Sequence, residues 1–149
     1  MNVIITAGGT TEKIDAVRKI TNTATGKLGS LTAEEFVKQG GDRIEKIFYI
    51  CEKGTIMPQS AHVEVITVEG AGSVKDVLSN LLTANKIDAV VHSMAVSDYT
   101  VDSLTTVENL AGFLSQKLFS LIGNEFHTDQ SLAEFIATCI RENNNRRFV

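Results

Sequence analysis

Asn2-Val3-Ile4-Ile5-Thr6-Ala7-Gly8-Gly9-Thr10 opens the chain with a β-branched run that stops on two glycines. Short apolar runs rich in valine and isoleucine read as buried strands, and Ala-Gly-Gly-Thr at the end reads as a tight loop. Glycine there allows backbone angles other residues avoid and lets a ligand come close to the main chain. Bare N–H groups in such a loop can hold an anion.

Outward from this run, strands and helices alternate. A helix is expected from Gly26 to Gln39, with Leu28, Leu31, Phe36 and Val37 at a rough helical period and Gly40-Gly41 ending it. Ile44–Cys51 reads as the next strand, and Val63–Val68 as a short one. Ser73–Asn85 carries Val74, Val77, Leu78, Leu81 and Leu82 on one helical face, and Ile87–His92 is another apolar strand. Strand, helix, strand, strand, helix, strand predicts an α/β fold: a doubly wound, Rossmann-like, mostly parallel sheet with helices on both faces. Ligands bind such sheets beyond the carboxyl ends of the strands, which singles out the loops Gly8–Gly29 and Ser93–Thr100. Past Tyr99 the pattern loosens to a short helix at Leu110–Lys117, a strand at Leu118–Gly123 and a helix at Leu132–Ile140. Thr128–Ser131 would cap that last helix, and the polar residues 143–147 would fray.

The 149 residues suit one domain, 1–149, and 43% hydrophobic residues suffice for a core. A net charge of −4 argues against a general nucleic-acid binder. Cys51 and Cys139 both sit in apolar runs and are read as buried thiols, with no zinc-type spacing. No basic leader precedes the first strand, and no apolar stretch is long enough to span a bilayer. A soluble, cytoplasmic protein without membrane partners is expected.

Thr25-Gly26-Lys27-Leu28-Gly29 lies at the expected helix start, where N–H groups and helix dipole also favour phosphate. Spacing alone leaves two readings open, a phosphate cradle or a tight turn plus a helix cap. Neither G-x-G-x-x-G nor G-x-x-x-x-G-K-[ST] is present.

The longer string Ile4–Gly29 resembles the signature of phosphopantothenate–cysteine ligases, in which a T-x-G-G-T strand end leads through I-D-x-V-R to I-T-N-x-S-[ST]-G-K-x-G. Their second signature, A-A-V-[AS]-D-[YFW], is matched by Met94-Ala95-Val96-Ser97-Asp98-Tyr99. The preceding His92-Ser93 resembles the stand-alone bacterial type. The resemblance covers residues 3–100. It implies a ligase of coenzyme A biosynthesis that activates the carboxylate of phosphopantothenate with CTP, as an acyl-cytidylate, and couples it to cysteine. Magnesium is expected with the nucleotide, and a homodimer as the assembly.

The resemblance also assigns residues. Gly8, Ala24, Gly26, Gly29, Ser93, Met94 and Asp98 would lie at the nucleotide. Asn22, Met94, Ala95 and Asp98 would contact phosphopantothenate, and Asn22 would also assist turnover of the acyl-nucleotide. Arg18 would reach the substrate phosphate of a neighbouring subunit. Each has a plainer reading: Asn22 a turn residue, Arg18 a solvated charge, Asp98 a turn cap, Lys27 a surface lysine. His92 is read as structural, and His62 and His127 are assigned nothing.

After Tyr99 the family's lysine-bearing flap and its K-x-S-S, T-P-K-I and G-F-K segments are not found, and Pro58 is the sole proline. Residues 118–140 resemble the family's closing strand and helix, so the chain resembles the first and last parts of a ligase without its centre. Two alternatives follow: a shortened homologue that binds nucleotide or phosphopantothenate without ligation, or a flavin- or dinucleotide-binding reductase. The missing dinucleotide fingerprint, and the want of a clear acidic ribose ligand after the second strand, count against the reductase.

Overall fold

In the computed structural model, which describes residues 1–101, 105–122 and 129–145, the opening run is strand β1 (Asn2–Gly9), buried along almost its whole length. It lies inside a four-stranded parallel sheet. After it come β2 (Thr11–Lys13), β3 (Lys19–Thr21), α1 (Lys27–Gly40), β4 (Lys46–Glu52), β5 (Val63–Val68), α2 (Gly70–Ala84) and β6 (Ala89–Ala95). The sheet order is β5-β4-β1-β6, with all pairs parallel. A strand with a helix on each face has no polar side to show, which is why β1 and β4 are continuous apolar runs.

Alternation along the strands sorts the core into two layers. Val3, Ile5, Ala7, Ile47, Tyr49 and Cys51 face α1 and pack with Ala33, Phe36 and Val37. Ile4, Phe48, Ile50, Val68 and Met94 face α2 and pack with Val74, Val77 and Leu78. The doubly wound α/β fold is therefore as expected.

Several boundaries differ from the sequence reading. β6 runs on to Ala95, because Met94 and Ala95 pair with Gly8 and Gly9 of β1. The long polar stretch after Thr10 is not a plain loop: Thr11–Lys13 and Lys19–Thr21 form an antiparallel hairpin. Leu28 and Leu31, read as core positions of α1, are 70% and 53% exposed. Gly29 and Ser30 take the inner positions instead, and these small residues let the helix approach β1 closely.

The chain divides into two compact units, Met1–Val101 and Asp102–Val149. In the second, α3 (Val107–Ile122) and α4 (Asp129–Asn145) pack on each other. Ala111, Ser115, Leu132 and Ala137 are buried, and Arg141 pairs with Glu108. The strand expected at Leu118–Gly123 is a correction: residues 118–122 belong to α3, and Gly123 lies outside the described residues. Leu110, Leu114, Leu118 and Ile122 repeat every four residues, a helical period that the short window Leu118–Ile122 conceals. Residues 143–145, expected to fray, close α4, while Thr128 and residues 146–147 lie outside the described residues. Cys51 is buried as expected, but Cys139 is only half-buried. No helix among the described residues is long and apolar enough to cross a membrane.

Candidate functional site

The chain moves from β1 outward to β4 and β5, then returns through α2 to β6 on the other side of β1. Such a reversal opens a crevice at the carboxyl ends of the strands. The loops after β1, β4 and β6 meet there.

Thr10 buckles the ends of β1 and β6 together. Its N–H donates to the Ala95 carbonyl (3.0 Å). Its hydroxyl donates to Ser97 Oγ (3.0 Å) and accepts from the Ser97 N–H (2.8 Å). Asn22, just past β3, joins the same knot. Its N–H donates to the Thr10 carbonyl (3.2 Å), and its Nδ2 donates to the Ala95 carbonyl (3.0 Å) and to Ser97 Oγ (3.4 Å). The two sequence motifs, far apart in the chain, are thus hydrogen-bonded to each other. Ser93 is tied to β1 as well, its hydroxyl donating to the Thr6 carbonyl (2.7 Å). His92 Nδ1 lies 2.7 Å from Thr6 Oγ1, in keeping with a structural role.

The glycines make room first for the chain itself. Gly8 has φ +82°, and a Cβ on it would lie 2.6 Å from Thr55 Oγ1. Gly26, at the N-cap of α1 with φ +79°, would press a Cβ against the Thr55 methyl. A Cβ on Gly29 would strike Ala7 and approach Ser93 Oγ. The start of α1 is therefore seated on the ends of β1 and β6 with backbone against backbone.

Tyr49 fixes the same corner from below. Its hydroxyl donates to the carbonyls of Ile56 (2.8 Å) and Gly26 (3.3 Å), linking the loop after β4 to the helix start. Burial pushes its phenol up from 10.0 to about 12. Tyr49→Phe leaves the Ile56 carbonyl without its donor, while the Gly26 carbonyl keeps the Ser30 N–H (3.0 Å), and is expected to destabilise the first unit by about 1–2 kcal/mol, read as a lower unfolding midpoint. Because the folded-state value is raised, the neutral phenol supports the fold fully below pH 10 and loses that contribution as pH rises toward 12. A pH series of melting curves should show a larger alkaline decline in the parent protein than in the variant, in which the buried Cys51 thiol, also pushed up by burial, still titrates.

A cleft of about 220 Å³ opens beside the knot, lined by Gly9, Thr11, Asn22, Ala24, Lys53 and Thr55 among others. Of the residues expected at a site, Asn22 and Ala24 line it directly. Gly8 and Gly26 lie against its wall residue Thr55, Ala95 is joined to it by the hydrogen bond from Asn22, and Gly29 and Ser93 pack one layer away beside Ala7. The Met94 side chain is buried in the core facing α2, so it has only backbone to offer. Asp98 is exposed and makes no hydrogen bond or ion pair with the described residues. Lys27 is exposed in the first turn of α1, its N–H 3.4 Å from Thr25 Oγ1.

Arg18 is not brought to this cleft. It sits at the tip of the β2–β3 hairpin with its guanidinium on Asp15 (2.6 Å). Asp15 Oδ1 also accepts from the N–H groups of Val17 and Arg18 (2.9 and 2.8 Å). The Arg18 side chain, then these two N–H groups, hold the Asp15 carboxyl below its ordinary range. The tip is thus hydrogen-bonded within itself, with Val17 88% exposed. Two carboxylates anchor the base of the hairpin. Glu52 Oε1 accepts from the N–H groups of Thr11 (2.7 Å) and Gly70 (2.9 Å), and Glu12 Oε1 from Ala71 (2.8 Å). Lys13 adds an exposed ion pair to Glu69 (2.8 Å), holding that carboxyl below its usual range.

Sequence reasoning missed Thr10 as the buckle, Tyr49 as the strut, and Glu52, Lys53 and Thr55 as wall. The one available signal, for all but Tyr49, was their place just after an expected strand.

A family model described as the DNA/pantothenate metabolism flavoprotein C-terminal domain matches residues 1–108. The coenzyme A biosynthesis bifunctional protein CoaBC of Thermococcus kodakarensis is 34% identical over 111 residues, covering 74% of this chain and 26% of that protein. Its Bacillus subtilis counterpart is 33% identical over 99 residues, covering 66% and 23%. The chain thus spans about a quarter of the length of these relatives. Among solved structures, the DNA/pantothenate metabolism flavoprotein from Streptococcus pneumoniae superposes with a TM-score of 0.60 at 31% identity, over 67% of this chain and 42% of that one. The C-terminal domain of a CoaBC bifunctional protein gives 0.54 at 28% identity, over 75% and 57%.

Proposed function

The chain belongs to the DNA/pantothenate metabolism flavoprotein C-terminal domain family, and from that premise we propose that its strand-end cleft binds CTP and phosphopantothenate for ligation to cysteine in coenzyme A biosynthesis. The observation that carries this reading is the Asn22–Ala95–Ser97 knot, which sets the two ligase-like motifs edge to edge beside a cleft.

The reaction has defined demands. The phosphopantothenate carboxylate attacks the α-phosphate, pyrophosphate leaves, and the cysteine amine then displaces CMP to form the amide. Anionic groups have to be aligned and the developing charge stabilised. Asn22 suits a place beside an acyl-phosphate because its amide carries no charge to repel one. The Ala24–Gly29 segment would bring the start of α1 and its unpaired N–H groups to the phosphates. Asp98, Ser93 and the Met94–Ala95 backbone would lie toward nucleotide and substrate. Arg18, carried on a projecting tip, would reach a phosphate in a second copy of the chain, which makes a homodimer the assembly to expect.

Magnesium, when it accompanies the nucleotide, supplies further charge neutralisation. Among the described residues no group of three His, Cys, Asp or Glu converges, and Glu12 and Glu52 already hold backbone N–H groups. Such an ion would therefore be carried on the phosphates of the bound nucleotide rather than on side chains.

A second reading, binding without ligation, is favoured by one observation: the stretch after Tyr99 contains no T-P-K and no G-F-K. Calorimetric titration and a pyrophosphate-release assay with CTP, phosphopantothenate and cysteine separate the two. Ligation predicts release that depends on phosphopantothenate. CTP binding without release turns the assignment to the binding module. Binding of NADPH or FMN in place of CTP would instead favour a reductase.

A further inference from the structure

We infer that Lys53 is a phosphate-contacting residue of the strand-end cleft, an inference that rests on the nucleotide and phosphopantothenate reading above. Lys53 follows the last residue of β4 and lines both the cleft of about 220 Å³ and an adjoining groove of about 520 Å³. It shares that double position with Thr11, Thr21 and Glu52. The charges along these walls are not equivalent. Glu52 uses one carboxylate oxygen to accept from two backbone N–H groups, those of Thr11 and Gly70. The second of these donors lies at the start of α2, where the helix dipole further offsets negative charge. Lys19 lines the groove but stands 3.8 Å from Glu69, which also holds Lys13. Lys53 makes no ion pair or hydrogen bond with the described residues. The wall thus presents one uncommitted ammonium among threonine hydroxyls, with its neighbouring carboxylate already engaged. An ammonium is a mobile point charge suited to phosphate oxygens, and hydroxyls complete such a contact as donors. No local motif marks this residue. It joins the site only because β4 lies next to β1 in the sheet.

The full chain should be titrated separately with inorganic pyrophosphate, CTP and phosphopantothenate, as the parent protein and as Lys53→Gln, Lys53→Arg and Lys38→Gln. Lys38 lies on the outer face of α1 beside Glu35 and controls for loss of one positive charge. The expected result is a loss of about tenfold or more for Lys53→Gln, most of it restored in Lys53→Arg, with no change for Lys38→Gln and no change in unfolding midpoint. Whichever ligand loses affinity identifies the source of the phosphate. If Lys53→Gln binds CTP and phosphopantothenate as the parent does, the role given to Lys53 is overturned while the proposed function stands. Lys53-dependent binding of pyrophosphate alone would keep Lys53 and overturn the proposed function. Failure of the parent protein to bind any of the three would overturn both.

Discussion

Gly26→Ala is expected to lower the unfolding midpoint of the first unit by on the order of 15 °C. Two separate strains add. The N-cap residue has φ +79°, where a side-chain-bearing residue costs about 1–2 kcal/mol. The new Cβ also presses on the Thr55 methyl, and overpacking of that kind costs about 1–3 kcal/mol. Thr55 has little room to yield, because Gly8 already lies against it and its N–H donates to the Glu52 carbonyl (3.2 Å). Thermal melts of Gly26→Ala and of Gly26→Ala/Thr55→Ser separate the two strains. Removing the methyl should recover the steric part and leave the backbone part. A single variant that melts with the parent would show that α1 starts in some other conformation.

Asn22→Asp is the second large effect, and it falls on ligand as well as on the knot that Asn22 holds. The Ala95 carbonyl can only accept, so the Asn22 atom 3.0 Å from it has to be the amide nitrogen. Aspartate would set an anionic oxygen against that carbonyl and against any acyl-phosphate beside it. Phosphopantothenate affinity is expected to fall about tenfold. Where turnover is measured, pyrophosphate release should persist while amide formation slows. Asn22→Ala removes the donor without adding charge and should be the milder change. Normal product formation by Asn22→Asp would remove Asn22 from the proposed chemistry.

Those residues were reachable from sequence for different reasons. The sheet was legible because its central strands β1 and β4 are buried on both faces, so Val3–Ile5 and Ile47–Ile50 appear as unbroken apolar runs. The β2–β3 hairpin was not, since its residues are exposed and carry no alternation to read. The strand read at Leu118–Ile122 came from judging a short apolar window without the helical repeat that begins at Leu110. Gly26, Asn22 and Asp98 stood out because unusual residues cluster in two strings. Lys53 and Thr55 did not, because Glu52-Lys53-Gly54-Thr55 is an ordinary turn until the order β5-β4-β1-β6 places it beside Gly8. Tyr49 was hidden inside an apolar run, where its ring belongs and its hydroxyl does not show. Leu28 and Leu31 misled because the inner face of the first half of α1 is made of glycine, serine and alanine, which hydropathy does not flag.

The pairing of β1 with β6 has a consequence for how the protein is made. β1 leaves the ribosome well before β6, yet the partner of Val3 is Ala89 and that of Gly9 is Ala95. Thr10 and Asn22 likewise wait for Ala95 and Ser97. Until those residues emerge, an almost wholly apolar strand has one unpaired edge and no finished site beside it. Pairings of such long sequence separation close slowly, so the nascent chain passes through a period in which this edge needs protection. The cleft is consequently among the last parts of the first unit to be assembled.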